Sequence, residues 1–325
     1  MTQSQTTSEL PKHPLGPTGL MVTPLCVGCA PLGDMEDTFG YSVPEEQAVA
    51  MLRTVFDSPI NFIDTAASYG DGEAERRLGA VLEGIGRLPE GYVLMTKADR
   101  DLQTGDFSGE QIRRSVERSL RLLGLDQLQV VHLHDPEHST FEEIMAPGGA
   151  VEVLLRFKEQ GIIGHVGVAG GPIDVMTRYV ETGAFDLLIT HNRYTLVSQV
   201  AAPLLDLGAS RGMAVLNAAP YASGILAKGP ESGARYAYQE APPEVVERVR
   251  KMSQACARHG VPLAAAALQF SMRDPRITST IVGMTKPERI QQTVDLANHP
   301  IPDDLWSELA SLGVSTEDPE ANRWT

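Results

Sequence analysis

Asn61-Phe62-Ile63-Asp64-Thr65-Ala66-Ala67-Ser68-Tyr69-Gly70 decides the fold. Its first half is a short apolar run that ends on a carboxylate. A turn of small residues follows, then a phenol beside a glycine. An acid that ends a buried strand and a tyrosine in the loop after it can point into one pocket, so the neighbouring segments decide what the pair can do.

Moving outward, the pattern of strand followed by helix repeats. Strand-like runs fall at Leu25–Leu32, Asn61–Ala66, Tyr92–Ala98, Leu128–His134, Gly164–Ala169, Leu187–Asn192, Ala214–Ala219 and Thr278–Val282. Each precedes a segment with apolar residues at helical spacing: Glu45–Asp57, Ala74–Glu83, Ser108–Leu123, Ala150–Glu159, Pro172–Glu181, Ser198–Ala209, Pro243–His259 and Lys286–Ala297. The strands read as near-continuous apolar runs, as they do when both faces of a parallel sheet are covered. Eight such units predict a single α/β domain over 1–325, a closed (β/α)8 TIM barrel. No G-x-G-x-x-G follows the first strand, which argues against a dinucleotide-binding doubly wound sheet.

Other segments decorate the repeat. Leu15–Val22 has turn chemistry between short extended pieces and predicts an N-terminal β-hairpin. Phe141–Gly149 and Ala222–Pro242 are loop insertions, the second rich in Gly, Pro and small residues and a candidate mobile flap. Val261–Met272 and Asp303–Leu312 predict extra C-terminal helices. Residues 1–14 are expected to be flexible, and 313–325 a C-terminal tail.

Composition narrows the partners. The chain has 325 residues, 42% hydrophobic, with a formal charge of −15, which disfavours nucleic acid and anionic membranes as partners. The polar N-terminus lacks the regions of a signal peptide, and no apolar run is long enough to span a bilayer, so a cytoplasmic location is expected. Only Cys26, Cys29 and Cys256 occur, which fits a reducing compartment. Cys26 and Cys29 stand three apart in a strand and so face opposite sides, a pair of buried thiols rather than a redox or metal motif.

In a barrel, chemistry gathers at the C-terminal ends of the strands. Three strands here end on reactive groups: Asp64 with Tyr69 just beyond, Lys97, and His132-Leu133-His134. Alone, each has a bland reading: a helix cap, a packed aromatic, a snorkelling cation, a structural imidazole. Together at one rim they make a proton-transfer site. A buried lysine needs a counter-ion, which Asp64 supplies. Lys97 beside Tyr69 is expected to lower the phenol's pKa and make it a general acid or base for a carbonyl or alcohol oxygen. His134 is placed to orient that oxygen. No activated serine or cysteine nucleophile is evident. A second reading makes His132 and His134, on one strand face, ligands in a metal-dependent hydrolase assisted by His138, His165 or His191. A third is a non-catalytic binding barrel.

These residues resemble a known family. From Leu15 to Ala297 the chain is similar to the aldo-keto reductases: Leu15-Gly16-Pro17-Thr18-Gly19-Leu20, Asp64-Thr65-Ala66 with Ser68-Tyr69-Gly70, Lys97 and His134 fall in the family's order. The resemblance implies a catalytic tetrad of Asp64, Tyr69, Lys97 and His134, with Tyr69 moving the proton and His134 positioning the carbonyl. It also implies NADP or NAD stretched across the barrel mouth, with its adenosine end on Gly283, Met284, Lys286, Arg289, Gln292 and Thr293. Arg289 aligns with the arginine that members use near a 2′-phosphate, which favours NADP; Gly283 stands where many NADP-preferring members carry lysine. Where many members have Ser-Asn, Gln and a stacking tyrosine around the nicotinamide, this chain has Ala169-Gly170, His191-Asn192 and Ala218, so His191 is a candidate cofactor contact. Asn192-Arg193-Tyr194-Thr195-Leu196 and Asn217-Ala218-Ala219-Pro220-Tyr221 resemble the sugar-oxidising branch of L-fucose and D-threo-aldose 1-dehydrogenases, to which pyridoxal 4-dehydrogenase-like proteins also belong. The implied reaction is oxidation of an aldose at C1 to its lactone. Alternatives are reduction of small aldehydes and ketones or oxidation of a pyridoxal-type substrate.

Overall fold

The computed structural model describes residues 10–231 and 235–321. Eight parallel strands close into a barrel: β3 (Leu25–Gly28), β4 (Phe62–Asp64), β5 (Val93–Ala98), β6 (Leu128–His134), β7 (Ile163–Ala169), β8 (Leu187–His191), β9 (Ala214–Ala218) and β12 (Ser279–Gly283), with β12 pairing both β9 and β3. Each side chain two positions on shares a face, so inward and outward residues separate cleanly. Cys26, Phe62, Met95, Val130, Leu187, Ile189, Leu216 and Ile281 form an apolar cluster distinct from the larger core that contains Cys29, Ile63, Leu94 and Val131. Cys26 and Cys29 thus lie on opposite sides of the wall, both buried and free.

A hairpin of β1 (His13–Pro14) and β2 (Met21–Val22) brings fully buried Leu15 and Val22 into that inner cluster. It plugs the barrel at the end away from the strand C-termini. Residues 10–14, expected to be flexible, are held by this pairing and by the burial of Leu10. Residues 1–9 lie outside the described residues.

The outer helices are α2 (Glu45–Val55), α3 (Glu73–Ile85), α4 (Gly109–Leu123), α6 (Ala150–Glu159), α7 (Ile173–Glu181), α8 (Ala202–Ser210), α10 (Pro243–Arg258), α11 (Leu263–Met272), α12 (Glu288–Ala297) and α13 (Asp303–Ser311). Short helices α1 (Glu36–Phe39), α5 (Phe141–Ile144) and α9 (Ile225–Lys228) sit in loops at the strand C-terminal end. Among the described residues no helix is long and apolar enough to cross a membrane.

Three boundaries depart from expectation. The first barrel strand stops at Gly28 and gives way to a 3-10 turn over Ala30–Gly33, because Pro31 cannot continue a ladder. The helix expected from Ser198 starts at Ala202, because Ser198 instead bridges Ser315. The insertion at 222–242 contains α9 and a hairpin of β10 (Arg235–Tyr236) and β11 (Gln239–Glu240), with 232–234 outside the described residues. The hairpin docks on α1: Arg235 Nη2 donates to Thr38 O at 3.1 Å, and Tyr238 meets the edge of Phe39 at 6.1 Å.

Candidate active site

Strand period and register assemble the site. Met95 faces the barrel interior, so Lys97 does as well; Phe62 places Asp64 and Val130 places His132 and His134 in the same way. Register then sets Asp64 level with Met95, Lys97 with His132, and His134 with Ala169. Tyr69 reaches the same spot from the turn after β4. Gly70 there has φ of 62°, and a Cβ on it would lie 1.9 Å from Gly33 O, so only glycine lets this turn press against the Ala30–Gly33 loop.

Lys97 Nζ is 2.7 Å from Asp64 Oδ1, 2.8 Å from Thr65 O and 2.9 Å from Tyr69 Oη. Thr65 O and Tyr69 Oη each take an ammonium proton, and Asp64 balances the charge. The second of these protons fills an acceptor position on Tyr69, which leaves the phenolic O–H free to donate elsewhere. Lysine and aspartate side chains are 2% and 5% exposed, so this is a buried pair whose partners depend on each other. Burial raises the Asp64 carboxyl, against the pull of Lys97.

Tyr69 corrects one expectation. Burial, reinforced by Asp64 and Asp135, holds its phenol well above the ordinary value rather than below it. The Lys97 charge is already matched by Asp64, so the pair brings little net field to the phenol. Tyr69 therefore keeps its proton in the free protein, the state that a proton donor needs.

His134 is fixed by a residue that strand-end reading missed. Its Nδ1 lies 2.6 Å from Asp99 Oδ1, while Asp99 Oδ2 accepts from Ser68 N at 2.8 Å. The other nitrogen, Nε2, is left for the cavity. Burial opposes protonation of His134, but the Asp135 and Asp99 carboxylates outweigh it and raise its pKa. Asp99 stands two residues after Lys97, just past the end of its strand, and a carboxylate there was the available signal.

His132 lies inside the barrel wall with 0% exposure, and burial lowers its pKa to about 3. A Cβ on Gly167 would stand 2.3 Å from its Cδ2, so the small residue opposite makes its room. His165 pairs with Asp186 and His191 with Glu320, in separate places. Among the described residues no three His, Cys, Asp or Glu side chains converge as a ligand set, so the metal-hydrolase reading lacks its donors.

The tetrad borders a cavity of about 370 Å³ at the strand C-terminal end. Its opposite wall is built of small residues, Gly28, Ala169, Gly170, Ala218, Ala219 and Gly283, with His191 among them. Met35, Phe39 and Tyr238 reach it from α1 and the inserted hairpin. His191 Nε2 is 3.3 Å from Glu320 Oε1, and Glu320 also accepts from Asn192 Nδ2 at 2.7 Å. Arg193, its side chain 1% exposed, binds Asp318 at 2.9 Å and stands 3.5 Å from Glu320. The expected C-terminal tail, as far as Ala321, is thus folded onto the rim and holds the β8 end; 322–325 lie outside the described residues.

The residues expected at an adenosine end divide. Gly283 opens onto the cavity, and Lys286, Arg289 and Gln292 are exposed around the first turn of α12, with Arg289 Nη1 donating to Gln292 Oε1 at 3.1 Å. Met284 is buried in the core, and Thr293 donates to Arg289 O at 2.7 Å. The structure therefore brings four of these side-chain positions to the surface and turns two inward.

Comparison with known proteins agrees with this geometry. Residues 24–313 match the model of the Aldo/keto reductase family. The chain is 31% identical to a D-threo-aldose 1-dehydrogenase of Pseudomonas sp, covering 90% of this chain and 94% of that one. It is 31% identical to the L-galactose dehydrogenase of Arabidopsis thaliana, covering 93% and 90%, and 30% identical to the pyridoxal 4-dehydrogenase of Microbacterium luteolum, covering 93% and 97%. The holo form of an aldo-keto reductase from Bacillus halodurans superposes with a TM-score of 0.79 at 22% identity, over 97% of this chain and all of that one, which shows the shared barrel. A barrel of eight parallel strands, a rim of Asp64, Tyr69, Lys97 and His134, and a match across nearly the whole chain make this protein a member of the aldo/keto reductase family of oxidoreductases.

Proposed function

We propose that the protein is an NAD(P)-dependent dehydrogenase that oxidises an aldose at C1 to the lactone. The observation that carries the chemistry is Lys97 Nζ at 2.9 Å from Tyr69 Oη, with Asp64 on its other side at 2.7 Å. A bound nicotinamide supplies the hydride acceptor or donor. The wall of small residues around Gly283, where a Cβ would already stand 3.1 Å from Pro31 Cγ, would hold its ring. His191, with Nε2 committed to Glu320, has Nδ1 left for the ring's amide. The exposed Lys286 and Arg289 at the start of α12 favour a 2′-phosphate and hence NADP, since guanidinium and a helix N-terminus both suit an anion.

This chain's own residues handle the oxygen. Tyr69 O–H and His134 Nε2 converge on it, their rings 5.8 Å apart edge to face. Toward reduction, Tyr69 gives its proton to the carbonyl oxygen. Toward oxidation, the lactol hydroxyl gives its proton to the Tyr69 phenolate, to which Lys97 Nζ donates a hydrogen bond.

The aldose substrate is supported by the 31% identity to proteins named for aldose and galactose oxidation. The test is turnover with NAD and with NADP on L-fucose, D-arabinose, L-galactose, simple aldehydes and pyridoxal. Lactone formation from one of the sugars is expected. Turnover confined to pyridoxal or to simple aldehydes would sink the aldose reading and keep the proton-transfer site.

A further inference from the structure

Three carboxylates ring the reacting position, and two of them are committed. Asp64 neutralises Lys97, and Asp99 holds His134 Nδ1 and Ser68 N. Asp135 is different. Its backbone sits at φ 44° and ψ 55°, a left-handed conformation that a non-glycine residue adopts only when its surroundings hold it there. They do: Asp135 N donates to Ala169 O at 2.8 Å, Asp135 O accepts from His138 N at 3.1 Å, and Pro136 follows. The turn ends β6 and delivers the side chain, 27% exposed, to the cavity wall with Oδ1 3.6 Å from His134 Nε2. Among the described residues none donates a hydrogen bond to this carboxylate. Burial works against its charge, but His134, His191, His138 and Lys97 outweigh burial and hold it below the ordinary carboxylate range.

We propose that Asp135 is a specificity-determining residue that accepts a hydrogen bond from a hydroxyl on the carbon next to the reacting carbon, so that the site selects 2-hydroxy carbonyl compounds and their lactols over plain aldehydes. A substrate oxygen held by Tyr69 and His134 Nε2 has its neighbouring hydroxyl one carbon–carbon bond away, and Asp135 Oδ1, 3.6 Å from His134 Nε2, is near enough to receive it. An ionised carboxylate with open lone pairs is satisfied by an O–H donor, and is stripped of water without replacement by an apolar group. The inference rests on the aldose reading above and names the contact through which that class is recognised.

The test compares an aldose with its 2-deoxy analogue. D-Arabinose and 2-deoxy-D-ribose differ only in the C2 hydroxyl; the same comparison is made on whichever aldose the screen selects. A site built around a substrate hydroxyl rejects the analogue that lacks it, so wild type is expected to prefer the parent by about 100-fold or more in kcat/KM. In Asp135→Gly, which removes the acceptor, the preference is expected to fall to within about 5-fold, whereas Asp135→Asn, whose amide oxygen still accepts, is expected to keep part of it. Asparagine and glycine both tolerate positive φ, so the turn survives in each, and melting temperature checks that it does. Wild type that oxidises both sugars equally overturns the inference without a variant. An Asp135→Gly variant that keeps the full discrimination also overturns it and leaves the aldose reading standing. A wild type that oxidises no aldose overturns both.

Discussion

The two halves of the barrel rim are built on different principles. On β4, β5 and β6 the inward positions carry Asp64, Lys97, His132 and His134, each held by a short contact to a group on a neighbouring strand or its following loop. On β7, β8, β9 and β12 the same level carries Ala169, His191, Ala218 and Gly283, and the one polar group is held from the far end of the chain by Glu320. The first half is dense in buried charge, the arrangement on which the proposed proton transfer rests. The second is nearly bare and gives room to a flat ligand. Confining the charges to one side lets them set one another's protonation states, while the other side stays free of groups that would compete for the reacting oxygen.

Removing the phenolic oxygen is the sharpest way to break the first half. Tyr69→Phe keeps the ring against His134 and deletes the acid. Loss of turnover by about 10³-fold is expected, with the melting temperature close to that of wild type. In the intact enzyme the raised phenol pKa gives the two directions opposite pH slopes: oxidation needs phenolate and rises into alkaline solution, whereas reduction needs the protonated form and is flat until the same region. Retained turnover in the variant, or parallel slopes in wild type, would remove Tyr69 from the reaction.

Asp99→Asn is expected to have the next largest effect, about 10²-fold in kcat/KM, because an amide no longer selects the Nδ1–H form of His134. Asp99 acts through His134, so the pH profile is the informative readout. Without its carboxylate the imidazole loses part of what raises it, and the His134 limb should move to lower pH. An unmoved limb would mean that Asp99 merely braces the loop through Ser68.

The first half was legible in the sequence because its information is local. A strand reads as an apolar run, side chains alternate, and the residue that ends each run is therefore at the rim; Asp64, Lys97 and His134 follow from that alone. Tyr69 lies within one turn of its strand end. The sign of its pKa shift was not legible, because it depends on how completely Asp64 cancels Lys97 and how deeply the phenol is buried. Asp99 and Asp135 were on the page as acids next to strand ends, but only the fold shows that one faces His134 Nδ1 and the other the cavity. The second half was hidden for a different reason. Small residues carry no chemical signature, and the group that fixes His191 comes from a stretch that reads as a polar tail. No periodicity announces that Asp318 and Glu320 return to Arg193, Asn192 and His191.

That return can be tested with the smallest change, Glu320→Gln. The amide keeps the size of the side chain and can still accept from Asn192, so the fold should survive with a loss of about 1–3 kcal/mol. The pH dependence of that loss identifies its source. Glu320 is held down from 4.5 to about 2, because His191 and Arg193 outweigh the cost of burying it. Its contribution is present above 4.5 and is lost as pH falls toward 2. His191 is raised from 6.5, since Glu320 outweighs burial of the imidazolium. Its contribution is complete below 6.5 and is lost as pH rises through the folded value. Both charges are in place between those limits, so the gap in melting temperature between wild type and variant should be widest near pH 5–6. It should narrow as pH rises through the folded value of His191, where Arg193 and Asn192 still face the carboxylate, and toward strong acid. Turnover should fall about 3–10-fold through a less firmly held His191. A stability gap independent of pH would mean that Glu320 serves packing alone, and the bare half of the rim would then owe its shape to the barrel wall and not to the tail.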